Sequence, residues 1–161
     1  MSSSVVDSPL GSILIEETNN HISQVRFLDD DETPELFDED HILQKESKQQ
    51  LKAYFSSKLQ KFDLPLLFNG TEFQNKVWKE LMEIPFGKTV SYGELSKNLG
   101  DPNYVRAVGN ANGKNPISIV VPCHRVIGST GNLVGYAGGL GRKKWLLDFE
   151  GNQISGQGQL F

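Results

Sequence analysis

Cysteine is almost absent from this chain: one in 161 residues, at position 123. A lone thiol can form no internal disulfide and no thiolate cluster for a structural zinc, which points to a reducing compartment. Cys123 is therefore either buried filler or chemistry. Long apolar runs are also missing. The opening "MSSSVVDSPLGSILIEE" lacks a basic start ahead of an apolar core, and no stretch approaches bilayer length, so the expectation is a soluble, intracellular protein. An excess of positive charge is lacking too, the net charge being -4. Split by position, however, residues 1–70 hold 13 acidic and 6 basic side chains (-7), and residues 71–161 hold 7 and 10 (+3). Such asymmetry suggests an acidic lobe joined to one that tolerates a polyanion, though surface lysines are common in any case. The length fits one ordinary domain or two small lobes.

The patterning predicts an N-terminal lobe over 1–70 and a C-terminal lobe over 71–161. "GSILIEET" and "HISQVRFL" are β-type runs joined by Asn19-Asn20, a hairpin turn. "DDDETPELFDED" reads as a solvated loop, and His41 to about Lys58 as an amphipathic helix. "FDLPLLFNG" is an extended connector. Thr71 and Gln74 then form a capping-box pattern ahead of Phe73, Val77, Trp78, Leu81 and Met82, and Ser91 with Glu94 repeats it. Asp101 as N-cap and Pro102 in the first turn open the next helix, with Gly113 as its stop. Two short helices about a Gly-Asp-Pro turn make a helix-turn-helix candidate. "ISIVV" reads as a buried strand, "GSTGNLVGYAGG" as a glycine-rich loop, "RKKWLLDFE" as a helix closed by Gly151, and "NQISGQGQLF" as a mobile tail.

The context of Cys123 favours chemistry. Pro122 cannot continue a central strand, so the chain turns where the thiol appears, a way of presenting it at the mouth of a site. Cysteine attacks as thiolate, and His124 can take its proton, although consecutive side chains diverge and a bridging water is then needed. Glu150 sits in a last helical turn, and Arg142, Lys143 and Lys144 in a first turn, each at the wrong end of the helix dipole. Either these are exposed charges of no consequence, or Glu150 orients His124 in a nucleophile-base-acid relay while the basic residues meet phosphate.

"PCHRV", preceded by "RAVGNANGKNPISIVV" and followed by "GYAGGLGRKKWLLDFEG", resembles the O6-alkylguanine-DNA alkyltransferase family, from about Gly70 to Gly151 in matching order and spacing. The resemblance implies a mixed α/β (α+β) fold: a small N-terminal α/β lobe with an antiparallel sheet, and a mainly helical, winged-helix-like C-terminal lobe. It makes Cys123 the alkyl acceptor, His124 the histidine reaching it through water, and Glu150 the acid holding that histidine. Asn115 braces the active-site turn, and Tyr92 donates a proton to guanine. Val126 and Tyr136 wall the pocket, while Ala137 stands where some relatives have a hydrogen-bonding serine. Arg106 is the finger that replaces the extruded nucleotide. Ala107, Gly109, Ala111 and Gly113 are small residues of a helix that enters the minor groove. The family's occasional zinc site has no counterpart, and neither metal nor cofactor is expected. The implied partner is double-stranded DNA containing O6-alkylguanine, met by a monomer in the cytoplasm, or in the nucleus of a eukaryote.

The residue types suit that chemistry. An alkyl carbon on guanine O6 is a soft electrophile for which a thiolate is the best nucleophile available. The thioether formed has no carbonyl for water to attack, so one molecule repairs one lesion. The target lies inside a duplex and must be rotated out, at a cost of a few kcal/mol. Minor-groove entry gives little sequence preference. Two alternatives from other classes are a non-catalytic binder of alkylated DNA and a helix-turn-helix transcription factor with a structural PCHRV.

Overall fold

The computed structural model describes residues 2–36 and 41–159 of the chain. Residues 37–40 of the expected acidic loop and 160–161 of the expected tail lie outside the described residues. Two compact units emerge, Met1–Asn69 with Pro116–Val120, and Gly70–Asn115 with Val121–Phe161. The fold is the expected mixed α/β one, an antiparallel sheet in the first unit and a mainly helical second unit.

The first unit is built on three antiparallel strands in the order β1 (Ser2–Ser8), β2 (Gly11–Thr18), β3 (His21–Phe27). The β2–β3 hairpin turns on Asn19 and Asn20 at φ 52° and 61°, the left-handed pair that a two-residue turn matching strand twist requires. Strand β1 was not expected, because "SSSVVDS" has little apolar content. Its serines are accommodated by α1 (Ile42–Phe55), whose buried Gln44 accepts from Ser4 Oγ and donates to the Ser2 carbonyl at 3.0 Å. Ile13, Ile15, Ile22, Val25, Leu51 and Tyr54 are buried as the core of this unit. In the described part of the acidic loop, Glu32 is tied down by Arg26 at 2.8 and 2.9 Å.

The apolar run 117–121 is buried as expected but is not a strand. Pro116 and Ser118 bracket Val25 of β3 with bonds of 2.9 Å, and there the pairing ends. Ile119 takes φ 72°, and Val120 N–H bonds back to Ser118 O at 2.8 Å, a γ-turn of the rare, strained hand. An apolar run records burial only, and the reversal inside it carries no glycine to announce it.

In the second unit, α2 (Glu72–Leu81) starts with the expected capping box, Thr71 and Gln74 satisfying each other's backbone N–H. Its buried face carries Val77, Trp78 and Leu81. Strand β4 (Val90–Ser91) leads into α3 (Tyr92–Asn98), capped by Ser91, and the Asp101-capped turn Pro102–Tyr104 leads into α4 (Val105–Gly113). Helices α3 and α4 form the helix-turn-helix, and Trp78 Nε1 donates to the Ala111 carbonyl at 2.9 Å, fastening α4 to α2. Strand β5 (Val126–Ile127) pairs in parallel with β4, Val90 opposite Val126 and Ser91 opposite Ile127. The final helix α5 spans Leu140–Gln159. It passes through Gly151, so the expected stop there is corrected. A helical glycine costs only about 1 kcal/mol, which packing of the preceding turns can override.

Candidate active site

The β4–β5 pair fixes the site, because Tyr92 follows β4 directly and Cys123–Arg125 precedes β5 directly. Pro122, at φ -81° and ψ 61°, makes an inverse γ-turn closed by Cys123 N–H to Val121 O at 2.8 Å. Asn115 Nδ2 donates to the same Val121 carbonyl at 2.9 Å, bracing the turn. Cys123, His124 and Arg125 then form one 3-10 turn.

Cys123 is 3% exposed, which corrects the expectation of a thiol presented openly at a site mouth. Burial pushes the thiol up to about 11, against the hydrogen bond from Asn115 and the charge of Lys143, which favour the thiolate. At neutral pH the thiolate is then on the order of one molecule in ten thousand, so the resting thiol is guarded rather than primed.

His124 and Glu150 are fully buried and bonded, Nε2 to Oε2 at 2.8 Å. Arg125, absent from the sequence-based expectations, completes the arrangement. Its Nε and Nη2 reach the two Glu150 oxygens at 2.8 and 3.0 Å, and Nη1 donates to Ile84 O at 2.7 Å. Burial raises the Glu150 carboxyl, but the His124 hydrogen bond and charge and the Arg125 fork outweigh it and hold the group to about 2. An ionised Glu150 fixes the His124 proton on Nε2, which leaves Nδ1 as the basic nitrogen. Nδ1 is buried and makes no hydrogen bond within the protein, so it is not bonded directly to the thiol. Burial lowers the imidazole's pKa, against Glu150, which favours the charged form.

Tyr92 lies beside this turn, half-buried, and its hydroxyl donates to Val134 O at 2.9 Å. Lys143, expected among first-turn cations meeting phosphate, is instead 0% exposed, and its Nζ donates to Val134 O and Gly135 O at 2.9 and 3.2 Å. Tyr92 and Lys143 thus both hold the loop that carries Tyr136 and Ala137. Val126 is buried, Tyr136 half-buried and Ala137 exposed.

On α4, Arg106 and Ala107 are exposed and Gly109 is partly so. A Cβ on Gly109 would meet the Tyr92 ring at 3.8 Å. Ala111 is 3% exposed and turned toward α2, so its place among the residues of an outward face is corrected to helix packing. The structure therefore brings Glu150 of α5 onto His124, sets Asn115 and Tyr92 of α3 beside the Cys123 turn, and keeps Arg106 and Ala107 exposed on α4. Arg125 and Asn112, whose amide reaches both Tyr92 and Cys123, were not foreseen at all, and Lys143 was foreseen in another role. Only the adjacency of Arg125 to the Cys-His pair hinted at any of them.

Comparison with known proteins finds similarity over most of the chain. Residues 72–152 match the family model described as 6-O-methylguanine DNA methyltransferase, DNA binding domain, and residues 1–68 the one described as its ribonuclease-like domain. A methylated-DNA--protein-cysteine methyltransferase of Methanosarcina acetivorans is 46% identical over 151 residues, 92% of this chain and 97% of that protein. One of Mycobacterium tuberculosis is 42% identical over 158 residues, 97% and 96% of the two chains. The crystal structure of Mycobacterium tuberculosis OGT in complex with DNA superposes with a TM-score of 0.84 at 42% identity, covering 95% of this chain and 94% of that one. The chain belongs to the 6-O-methylguanine DNA methyltransferase family.

Proposed function

We propose that the chain is a direct-reversal DNA repair protein that moves the alkyl group of O6-alkylguanine, and of O4-alkylthymine, onto its own Cys123, once per molecule. The Glu150–His124 pair beside a buried Cys123 is the observation that carries this reading. In the step, the Cys123 sulfur forms a bond to the alkyl carbon as the carbon–O6 bond breaks. The thiol proton passes to His124 Nδ1 through a bridging water, and Glu150 and Arg125 keep the resulting imidazolium in place. The departing guanine takes a proton at its oxygen or ring nitrogen from Tyr92, which is later restored from solvent. The net products are a thioether and an unmodified guanine.

The duplex meets the exposed start of α4 from the minor groove, Arg106 filling the gap left by the extruded nucleotide and Ala107 letting the backbone approach. Val126, Tyr136 and Ala137 receive the base. The two units divide the work, Gly70–Asn115 with Val121–Phe161 carrying DNA binding and the acceptor. No metal or cofactor takes part, and the protein acts as a monomer in the cytoplasm. Among the described residues, no helix is long and apolar enough to cross a membrane.

The test is mass spectrometry after challenge with duplex DNA bearing O6-methylguanine. One methyl is expected on the Cys123 peptide, with one equivalent of lesion consumed, and Cys123→Ser should bind without transferring. Binding with an unmodified peptide would instead mark a non-catalytic reader of alkylated DNA.

A further inference from the structure

Asn112 is one turn along α4 from Gly109, 3% exposed, and its side chain faces the acceptor turn. Its Nδ2 donates to Tyr92 Oη at 3.4 Å and to the Cys123 carbonyl at 3.3 Å, one amide reaching both the phenol and the cysteine. Its Oδ1 is buried and has no hydrogen-bond partner in the protein. Leaving such an acceptor unsatisfied costs about 1–3 kcal/mol, a loss that a leucine of similar size would avoid. Packing alone therefore does not account for the amide.

From this geometry we infer that Asn112 is a positioning residue for the proton donor of the alkyl-transfer step. By occupying a lone pair of Tyr92 Oη, the amide turns the phenolic hydrogen away from itself. In the resting chain that hydrogen points to Val134 O. When guanine arrives only the acceptor changes, while the donor stays oriented. The same amide, bonded to the cysteine's own carbonyl, keeps phenol and sulfur in register. Both bonds are long for N–H···O and have room to tighten as charge develops on the phenol. Burial raises the Tyr92 pKa, and the Asn112 bond opposes that rise, which makes the phenol the better acid. The inference rests on the alkyl-transfer reading above and adds to it a residue outside the acceptor motif.

Single-turnover methyl transfer from an O6-methylguanine duplex, followed by mass across pH 6–10, tests it in four proteins: wild type, Asn112→Leu, Tyr92→Phe and the double variant. Asn112→Leu should slow transfer about tenfold, leave duplex binding unchanged, and cause no further loss in the Tyr92→Phe background. Its thermal midpoint should equal or exceed that of the wild type, since the orphaned acceptor is gone. If the leucine disturbs folding, Asn112→Asp gives the same reading with the size kept: an acceptor in place of the donor captures the phenolic hydrogen, and transfer again slows only where Tyr92 is present. Equal losses with and without the Tyr92 hydroxyl, or a rate unaltered by Asn112→Leu, would overturn the inference. A wild type that acquires no methyl at all defeats the alkyl-transfer reading, and the inference with it.

Discussion

Lys143 brings a charge into a place where burial disfavours it. Its ammonium is shielded from solvent, bonded to two backbone carbonyls, and lies 5.9 Å from the Tyr92 ring centroid. Burial lowers its pKa, while attraction to the Cys123 sulfur in its thiolate form favours keeping the proton. The converse holds at the sulfur, where Lys143 opposes the upward push of burial. Lys143→Met keeps most of the stem and removes the charge. The thiol should then titrate still higher, and alkylation of Cys123 by a free benzylguanine-like base at pH 8 should slow severalfold, the loss of thiolate being partly offset by the greater nucleophilicity of a more basic sulfur. An unchanged pH–rate profile would reduce Lys143 to a brace for the Val134 loop. Periodicity read Lys143 as one of three first-turn cations, and nothing in "GRKKW" separates the buried one from its neighbours. Burial of a single lysine depends on a loop folding over it, which local sequence does not encode. The same holds for Arg125: "PCHRV" places it next to the histidine, but its grip on Glu150 depends on α5 arriving from 25 residues away.

At the scale of elements, legibility followed how local the determinants are. The hairpin at Asn19-Asn20, the Thr71 capping box and the Asp101 cap were readable because a few adjacent residues decide each one. Strand β1 was not, since its serines are satisfied by Gln44 some 40 residues away. Nor was the reversal at Ile119, held by pairing with β3. Helix α4 was readable at its end, Gly113, but not at its start, where Pro102–Tyr104 forms a separate 3-10 turn, and not in its faces. Of its small residues Ala107 is exposed and Ala111 buried where Trp78 bonds its carbonyl, a division that residue size alone does not reveal. That division makes a prediction about the element. If the exposed start of α4 opens the duplex, Arg106→Ala should slow transfer from duplex DNA at least tenfold and leave reaction with a free alkylated base unchanged. A parallel loss on both substrates would assign Arg106 to the pocket instead of the base stack. Ala111→Ser, on the packed side, should lower the thermal midpoint with no selective effect on duplex substrate.

For the whole molecule, the buried ionisable groups set the pH range over which the fold persists. Glu150 titrates near 2 in the folded chain against 4.5 as its ordinary value, so its contribution is complete above about pH 4.5 and drains away as pH falls toward 2. Glu32, bonded to Arg26 and likewise held to about 2, drains over the same window, but its exposure to solvent screens the effect. Cys123 has the opposite sign. Its thiol rises from 9 to about 11, so the folded chain keeps a proton that the unfolded chain releases, and stability is lost as pH climbs between those values. Denaturant unfolding of the wild type should thus lose stability on the acid side first below about 6.5, where the buried His124 imidazole resists protonation, and more steeply below about 4.5 through Glu150, with an alkaline limb above about 9. Glu150→Gln strands the Arg125 guanidinium in the interior, so at pH 7 it should cost about 3–5 kcal/mol while flattening much of the acid limb. Cys123→Ser should remove the alkaline contribution and leave the acid limb as it was. If Glu150→Gln kept the full acid slope, the carboxylates governing acid unfolding would lie elsewhere, and the relay would owe its depth in the fold to packing rather than to charge.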